Sequence, residues 1–172
     1  MNDGLHTLQG GCHCGRVRFE VDAAPGFEVL DCNCSICRMS GFLHLIVPAS
    51  RFRLLSGSGD LVEYTFNTGA AKHRFCGLCG IKSFYVPRSH PHGFSVNARC
   101  LDGVDVAALK VVAFDDRDRD AATAAVAHLT DGLARTGRHA HNADGWVTQR
   151  RHAGMLPGTV SSDSDLVAEL IA

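Results

Sequence analysis

The chain has almost no excess charge: 17 Lys and Arg stand against 18 Asp and Glu, a formal net charge of -1. That balance excludes the broad positive field that phosphate-dominated nucleic-acid binding requires, so a nucleic-acid partner is not expected. Long hydrophobic runs are also missing. No stretch approaches the roughly 18 consecutive apolar residues of a spanning helix, and no membrane partner is expected. Residues 1–11 (MNDGLHTLQGG) hold neither the basic nor the apolar region of a signal peptide, which makes a cytoplasmic location the expectation. Aromatic residues run out after Phe114, where Trp146 stands alone, so residues 115–172 are not expected to build a second core. A length of 172 residues fits one ordinary domain, two at most.

What the chain has in excess is cysteine, eight residues all lying between Cys12 and Cys100. Disulfides are disfavoured in a reducing compartment. The arrangement points to metal instead: seven of the eight fall into Cys12-His13-Cys14, Cys32-Asn33-Cys34-Ser35-Ile36-Cys37 and Cys76-Gly77-Leu78-Cys79.

Around these clusters the chain reads as mainly β. Residues 16–21 alternate apolar and polar, and 42–47, 61–66, 81–86, 94–97 and 109–114 are short β-branched or aromatic runs bounded by turn residues. The organisation expected is a zinc-binding β domain over 1–114, a helical segment over 115–136 and a poorly structured tail over 137–172. Asp118 or Asp120 can cap the alanine-rich stretch from Ala121 to Leu129, with Gly132 ending the helix. One last helical turn or two is expected over 166–171.

A tetrahedral thiolate site with Zn–S near 2.3 Å needs sulfurs about 3.8 Å apart. The turn from Cys76 to Cys79 supplies that locally, with Gly77 and Gly80 freeing the backbone to turn its amides toward sulfur. Cys12 and Cys14, two residues apart, would lie about 6.6 Å apart on a flat strand, so they converge only where the chain bends, as Gly10, Gly11 and Gly15 allow. These four cysteines are expected to close a structural zinc site. Cys32, Cys34 and Cys37 have no fourth cysteine nearby. Three protein ligands leave a position open, the arrangement of a catalytic metal, so the reading is four plus three and two Zn2+ ions per chain.

The remaining candidates are single residues. His13 lies between two ligands and is expected on the opposite, solvated face. His44 sits in an apolar run, as a core histidine or an acid–base group. His90 and His92, around Pro91, read as a solvated loop, and Cys100 as a core cysteine. Arg74, Lys82 and Arg88 read as a solvated basic face that could meet the carboxylates of an anionic thiol.

Several segments resemble the glutathione-dependent formaldehyde-activating enzyme and centromere protein V family: residues 10–20 (GGCHCGRVRFE), 31–37 (DCNCSIC), 44–52 (HLIVPASRF), 64–68 (YTFNT), 75–80 (FCGLCG) and 83–89 (SFYVPRS). The likeness spans about residues 10–115 and is closer to the centromere protein V branch. It implies an Mss4-like fold of twisted antiparallel sheets stapled by zinc, with structural zinc on Cys12, Cys14, Cys76 and Cys79 and a second zinc on Cys32, Cys34 and Cys37. The implied activity is that of a carbon–sulfur lyase acting on a thiol–aldehyde adduct such as S-hydroxymethylglutathione. His44, Asn97 and Arg99 are the accompanying candidates for catalytic groups near the open site. The family's Phe-x-Gly-x-x-Trp-Glu-like ending is replaced here by residues 114–120 (FDDRDRD), so the packing after Phe114 does not carry over. Nor does the chromatin role of animal centromere protein V, whose long basic N-terminal extension has no counterpart here. The alternative function is a non-catalytic zinc-stapled β domain that binds a protein or nucleic acid.

Overall fold

The computed structural model describes residues 4–130. The tail expected over 137–172, with its last helical turns, and the helix end expected at Gly132 lie outside them. Within them ten strands form two sheets. The smaller sheet joins β1 (His6–Gly11), β2 (Arg18–Ala23) and β5 (Phe52–Ser56) in the order β1-β2-β5, all antiparallel. The larger has seven strands: β3 (Glu28–Cys32), β4 (Leu43–Pro48), β6 (Leu61–Tyr64), β7 (Lys72–Cys76), β8 (Phe84–Val86), β9 (Gly93–Asn97) and β10 (Lys110–Phe114). Their order is β10-β3-β4-β9-β8-β7-β6. The expected mainly β fold is present, with one departure from pure antiparallel pairing: β10 runs parallel to β3.

Alternation explains β2. Phe19, Val21 and Ala23 are buried while Arg18, Glu20 and Asp22 face outward. On the outer face Arg53 of β5 bridges Glu20 and Asp22, which fixes the pairing of β2 with β5. The inner faces of the two sheets meet in a cluster of phenylalanines. Phe52 stacks on Phe19 and Phe94, with centroids 5.5 and 4.3 Å away, and tilts against Phe84 at 4.7 Å. Val21, Val29, Leu45, Val47 and Val96 complete this core. No helix among the described residues is long and apolar enough to cross a membrane.

Two helices accompany the sheets. α1 (Ser35–Ser40) ends at Gly41, whose φ of 60° closes it with an amide bonded back to the Cys37 carbonyl. α2 (Arg119–Val126) is capped by Asp118, one of the two candidates, which accepts from the amides of Asp120 and Ala121; Asp120 lies in its first turn. The helix buries Ala122 and Val126 and continues as a tight turn through Thr130.

Several elements differ from the sequence reading. The strand expected over 81–86 begins only at Phe84, because residues 77–81 are drawn into the cysteine turn, where the Cys76 amide donates to the Ile81 carbonyl. β7 (KHRFC) carries no apolar alternation, yet His73 and Arg74 are both buried. Pairing with β6 on one side and β8 on the other holds β7 in the sheet interior. Arg74 is therefore no part of a solvated face; its Nε donates to Glu63 at 3.2 Å. Lys82 is also withdrawn, with Nζ sealed from solvent. His90 is buried, its Nε2 donating to the Val126 carbonyl at the end of α2, 3.1 Å away, whereas His92 is solvated as expected.

Candidate metal centres and cavity

The first cysteine cluster forms where two turns meet. After β1 the chain reverses through residues 12–17, with the Cys12 amide donating to the Val17 carbonyl and the Gly15 amide to the Cys12 carbonyl. The positive φ of 78° at Gly15 permits that reversal and solves the spacing problem of two cysteines two residues apart. From the other side, the turn after β7 has the Gly80 amide donating to the Cys76 carbonyl at 2.8 Å. The Cys14 sulfur stands 3.5 Å from that of Cys12 and 3.6 Å from that of Cys76. These are close to the edge of a thiolate tetrahedron around zinc. All four Sγ atoms, Cys79 included, lie within 4.8 Å of one another, so the set could hold a metal ion. The Val17 amide donates to Cys12 Sγ at 3.3 Å. Amides of Ile81 and Cys14 pull the Cys79 thiol down to about 6. His13 is exposed, as expected.

The second cluster is built on β3 and α1. Cys32 ends β3, Cys34 precedes α1, and Cys37 projects from α1 one turn later. Their three sulfurs also lie within 4.8 Å of one another and are joined by no fourth Cys, His or carboxylate among the described residues. Hydrogen bonds from Cys32 and Cys37 hold the Cys34 thiol down at about 2. The same hydrogen bond pushes Cys32 up to about 11, and Cys37 is raised by its bonds to Cys32 and Cys34 and by burial. Donor chemistry and separations at both clusters fit zinc.

The two clusters differ most in what lies beside them. Cys32, Cys34 and Cys37 line a cavity of about 330 Å³, and none of the first four cysteines does. Its floor carries two imidazoles. His44, paired across β4–β9, has Nδ1 2.9 Å from Ser95 Oγ, while its Nε2 is buried without a hydrogen-bond partner among the described residues. His73 is stacked between Phe66 and Tyr85, at 5.3 and 4.9 Å. Neither of its ring nitrogens has a hydrogen-bond partner among the described residues. Burial, reinforced by the charge of Lys82, holds both histidines down at about 4, so both are uncharged at neutral pH. Arg88, Arg117 and Arg119 line the far side with Asp116. Arg88 is fixed there by Asp116 at 3.1 Å and Thr123 at 2.9 Å, which ties α2 to the cavity wall.

Of the other sequence candidates, Asn97 and Arg99 do not line this cavity. Asn97 Oδ1 accepts from the amides of Leu43 and Arg99, a structural clamp at the start of β4. Arg99 donates to the Gly41 carbonyl and lines a separate groove, on the side of Cys37 and Arg38. Cys100 is half-buried outside both clusters, its thiol pushed up to about 11 by burial. His73, Tyr85, Arg117 and Arg119 are among the cavity residues that the sequence reading did not single out. His73 stands between Lys72 and Arg74 and looks solvated in a single sequence; only its place in the sheet turns it inward.

Comparison with known proteins agrees with this layout. Residues 7–115 match the family model described as "Glutathione-dependent formaldehyde-activating enzyme". A crystal structure of a Rhodobacter sphaeroides protein is similar with a TM-score of 0.56 and 36% sequence identity, covering 60% of this chain and 99% of that one. The match takes in both cysteine clusters and more than half of the sequence, and the chain belongs to the glutathione-dependent formaldehyde-activating enzyme family.

Proposed function

We propose that the chain is a zinc-dependent carbon–sulfur lyase-type enzyme that makes or breaks the bond between a thiol, such as glutathione, and formaldehyde. The observation that carries this reading is the contrast between the clusters: four cysteines form a closed set away from the cavity, and three open into it. In this reading Cys12, Cys14, Cys76 and Cys79 hold a structural zinc, and Cys32, Cys34 and Cys37 a second one. When bound at the open set, zinc supplies Lewis acidity that lowers the pKa of an incoming thiol or polarises the aldehyde oxygen.

The remaining work falls to the chain's own residues. In the adduct-forming direction the thiol sulfur attacks the formaldehyde carbon. The S–C bond forms, the C=O π pair moves to oxygen, and the thiol proton ends on that oxygen. In this scheme His44 carries the proton on Nε2, a reading supported by that atom's lack of a hydrogen-bond partner among the described residues and by the contact of Nδ1 with Ser95 Oγ. An imidazole held at about 4 releases a proton readily once it has taken one. His73 offers a second uncharged nitrogen for the hydroxymethyl group. Arg117 and Arg119, exposed at the rim, suit the carboxylates of an anionic thiol. Asn97 and Arg99 act in this scheme only by positioning β4 and α1. The sequence signatures favour the centromere protein V branch of the family, and eight free thiols suit a cytoplasmic setting.

The test is exchange between free formaldehyde and S-hydroxymethylglutathione, followed by NMR at equilibrium with the zinc-loaded protein. Exchange faster than the spontaneous rate, lost in Cys34→Ala, supports the proposal. A protein holding both zinc ions that leaves the spontaneous rate unchanged moves the reading to a non-catalytic binding domain.

A further inference from the structure

Lys82 is the one cation of the described chain whose ammonium is sealed from solvent without a hydrogen-bond partner among the described residues. No carboxylate among them lies within ion-pair distance of it. Its Nζ sits over the rings of Phe42 and Tyr85, 4.8 and 4.3 Å from their centroids. Two cation–π contacts recover only part of the cost of burying an ammonium, so a lysine here needs an anion to balance it. Both rings stand against the three-cysteine set: Tyr85 lines the cavity with Cys32, Cys34 and Cys37, and the Phe42 amide donates to the Cys37 carbonyl at 3.2 Å. Burial pushes the Lys82 ammonium toward its neutral form, and thiolates at Cys37, Cys34 and Cys32 act against that. Its uncharged neighbours, His44 and His73, provide none.

We infer that Lys82 is the built-in counter-ion of the three-cysteine site, a positioning residue that makes the metal-loaded set electrically neutral. Three thiolates around a divalent ion leave one negative charge, and the Lys82 ammonium cancels it. Backbone amides donate to sulfurs in both clusters, but the first disperses its greater excess into water, where Cys14 is exposed. The cavity-facing cluster is buried at Cys32 and Cys37 and has less access to solvent, so its compensating charge comes from within the fold. The inference rests on the second metal site proposed above. It adds that the affinity of that site, and its tolerance of a further thiolate from a substrate, depend on a charge outside the ligand set.

The test uses the full chain and zinc alone. Zinc is titrated against a chromophoric chelator for the wild type, Lys82→Arg and Lys82→Gln, with circular dichroism as a check of fold. A unit charge lost within a partly desolvated site should weaken binding about tenfold or more. Lys82→Gln should therefore keep the first zinc and the fold while its second zinc is released at least about tenfold more readily. Lys82→Arg, which keeps the charge, should stay near the wild type. Equal second-site affinity in all three proteins overturns the inference, as does an equal loss in both variants, which would indicate packing rather than charge. An unfolded Lys82→Gln protein overturns it as well, because relieving an ammonium that only the metal site requires should not cost the fold its stability. A wild-type chain that binds one zinc instead of two would sink the proposed second site itself, a distinguishable outcome.

Discussion

Replacing Cys76 by serine removes one sulfur from the closed cluster and tests the claim that this cluster holds the fold together. Cys76 is fully buried at the end of β7, and its sulfur meets that of Cys14 across 62 residues of chain. A cross-link closing a loop of that length restricts the unfolded chain by about 4 kcal/mol on chain-entropy grounds alone. Formation of a four-thiolate zinc site contributes roughly 10–16 kcal/mol of apparent binding free energy, against a total stability of about 5–15 kcal/mol for a domain of this size. Even the smaller figure is a large share of that total. Cys76→Ser should accordingly be unfolded or aggregated at room temperature, or melt far below the wild type. The assay is thermal and urea unfolding followed by circular dichroism, with zinc content per chain on the same samples. Cys100→Ser is the control, since its half-buried sulfur belongs to neither cluster, and it should retain both zinc ions and a near-native midpoint. A soluble, zinc-free Cys76→Ser protein with a cooperative transition at the wild-type midpoint would refute the reasoning.

Three further outcomes are expected. Cys34→Ala should lose the second zinc and the catalysed exchange but keep the first zinc and the β spectrum, because the clusters share no ligand; retention of two zinc ions would show that the middle cluster is not a separate site. Stability should fall as pH drops from about 6.5 to about 4, because His44 and His73 are held near 4 in the fold and return to about 6.5 when unfolded, so the unfolded chain binds more protons in that window. His44 alone accounts for about 3 kcal/mol at the acid end, and denaturation of His44→Gln at pH 7.5 and 4.5 should show a correspondingly smaller loss than the wild type. Gly57→Ala should destabilise by about 2–4 kcal/mol, since Gly57 has φ of 83° and a Cβ there would meet the Arg16 carbonyl oxygen at 2.4 Å; an unchanged melting temperature would mean that the turn after β5 yields without cost.

Spacing alone carried much of this protein. Two cysteines flanking one residue, two flanking a Gly-Leu pair and three within six residues are legible because metal coordination imposes local distances on the chain, and local distances leave a mark on sequence. The Asp118 cap was legible for the same reason: it is a contact between neighbours in the chain. The alternation of β2 was readable because one of its faces is dry and the other wet. What the sequence could not decide is which polar residues are drawn inside. Lys82, His73, Arg74 and His90 carry solvated-looking neighbours, and each is withdrawn by contacts with residues distant in the chain: Phe42 over Lys82, Tyr85 against His73, Glu63 on Arg74 and the end of α2 over His90. Only the ordering of seven strands, with β7 between β6 and β8 and β10 laid parallel on β3, brings His73 to the cavity that the three cysteines line. The ligands were written locally, whereas the cavity, its uncharged imidazoles and its buried cation come from long-range pairing, which leaves no periodic trace in a single chain.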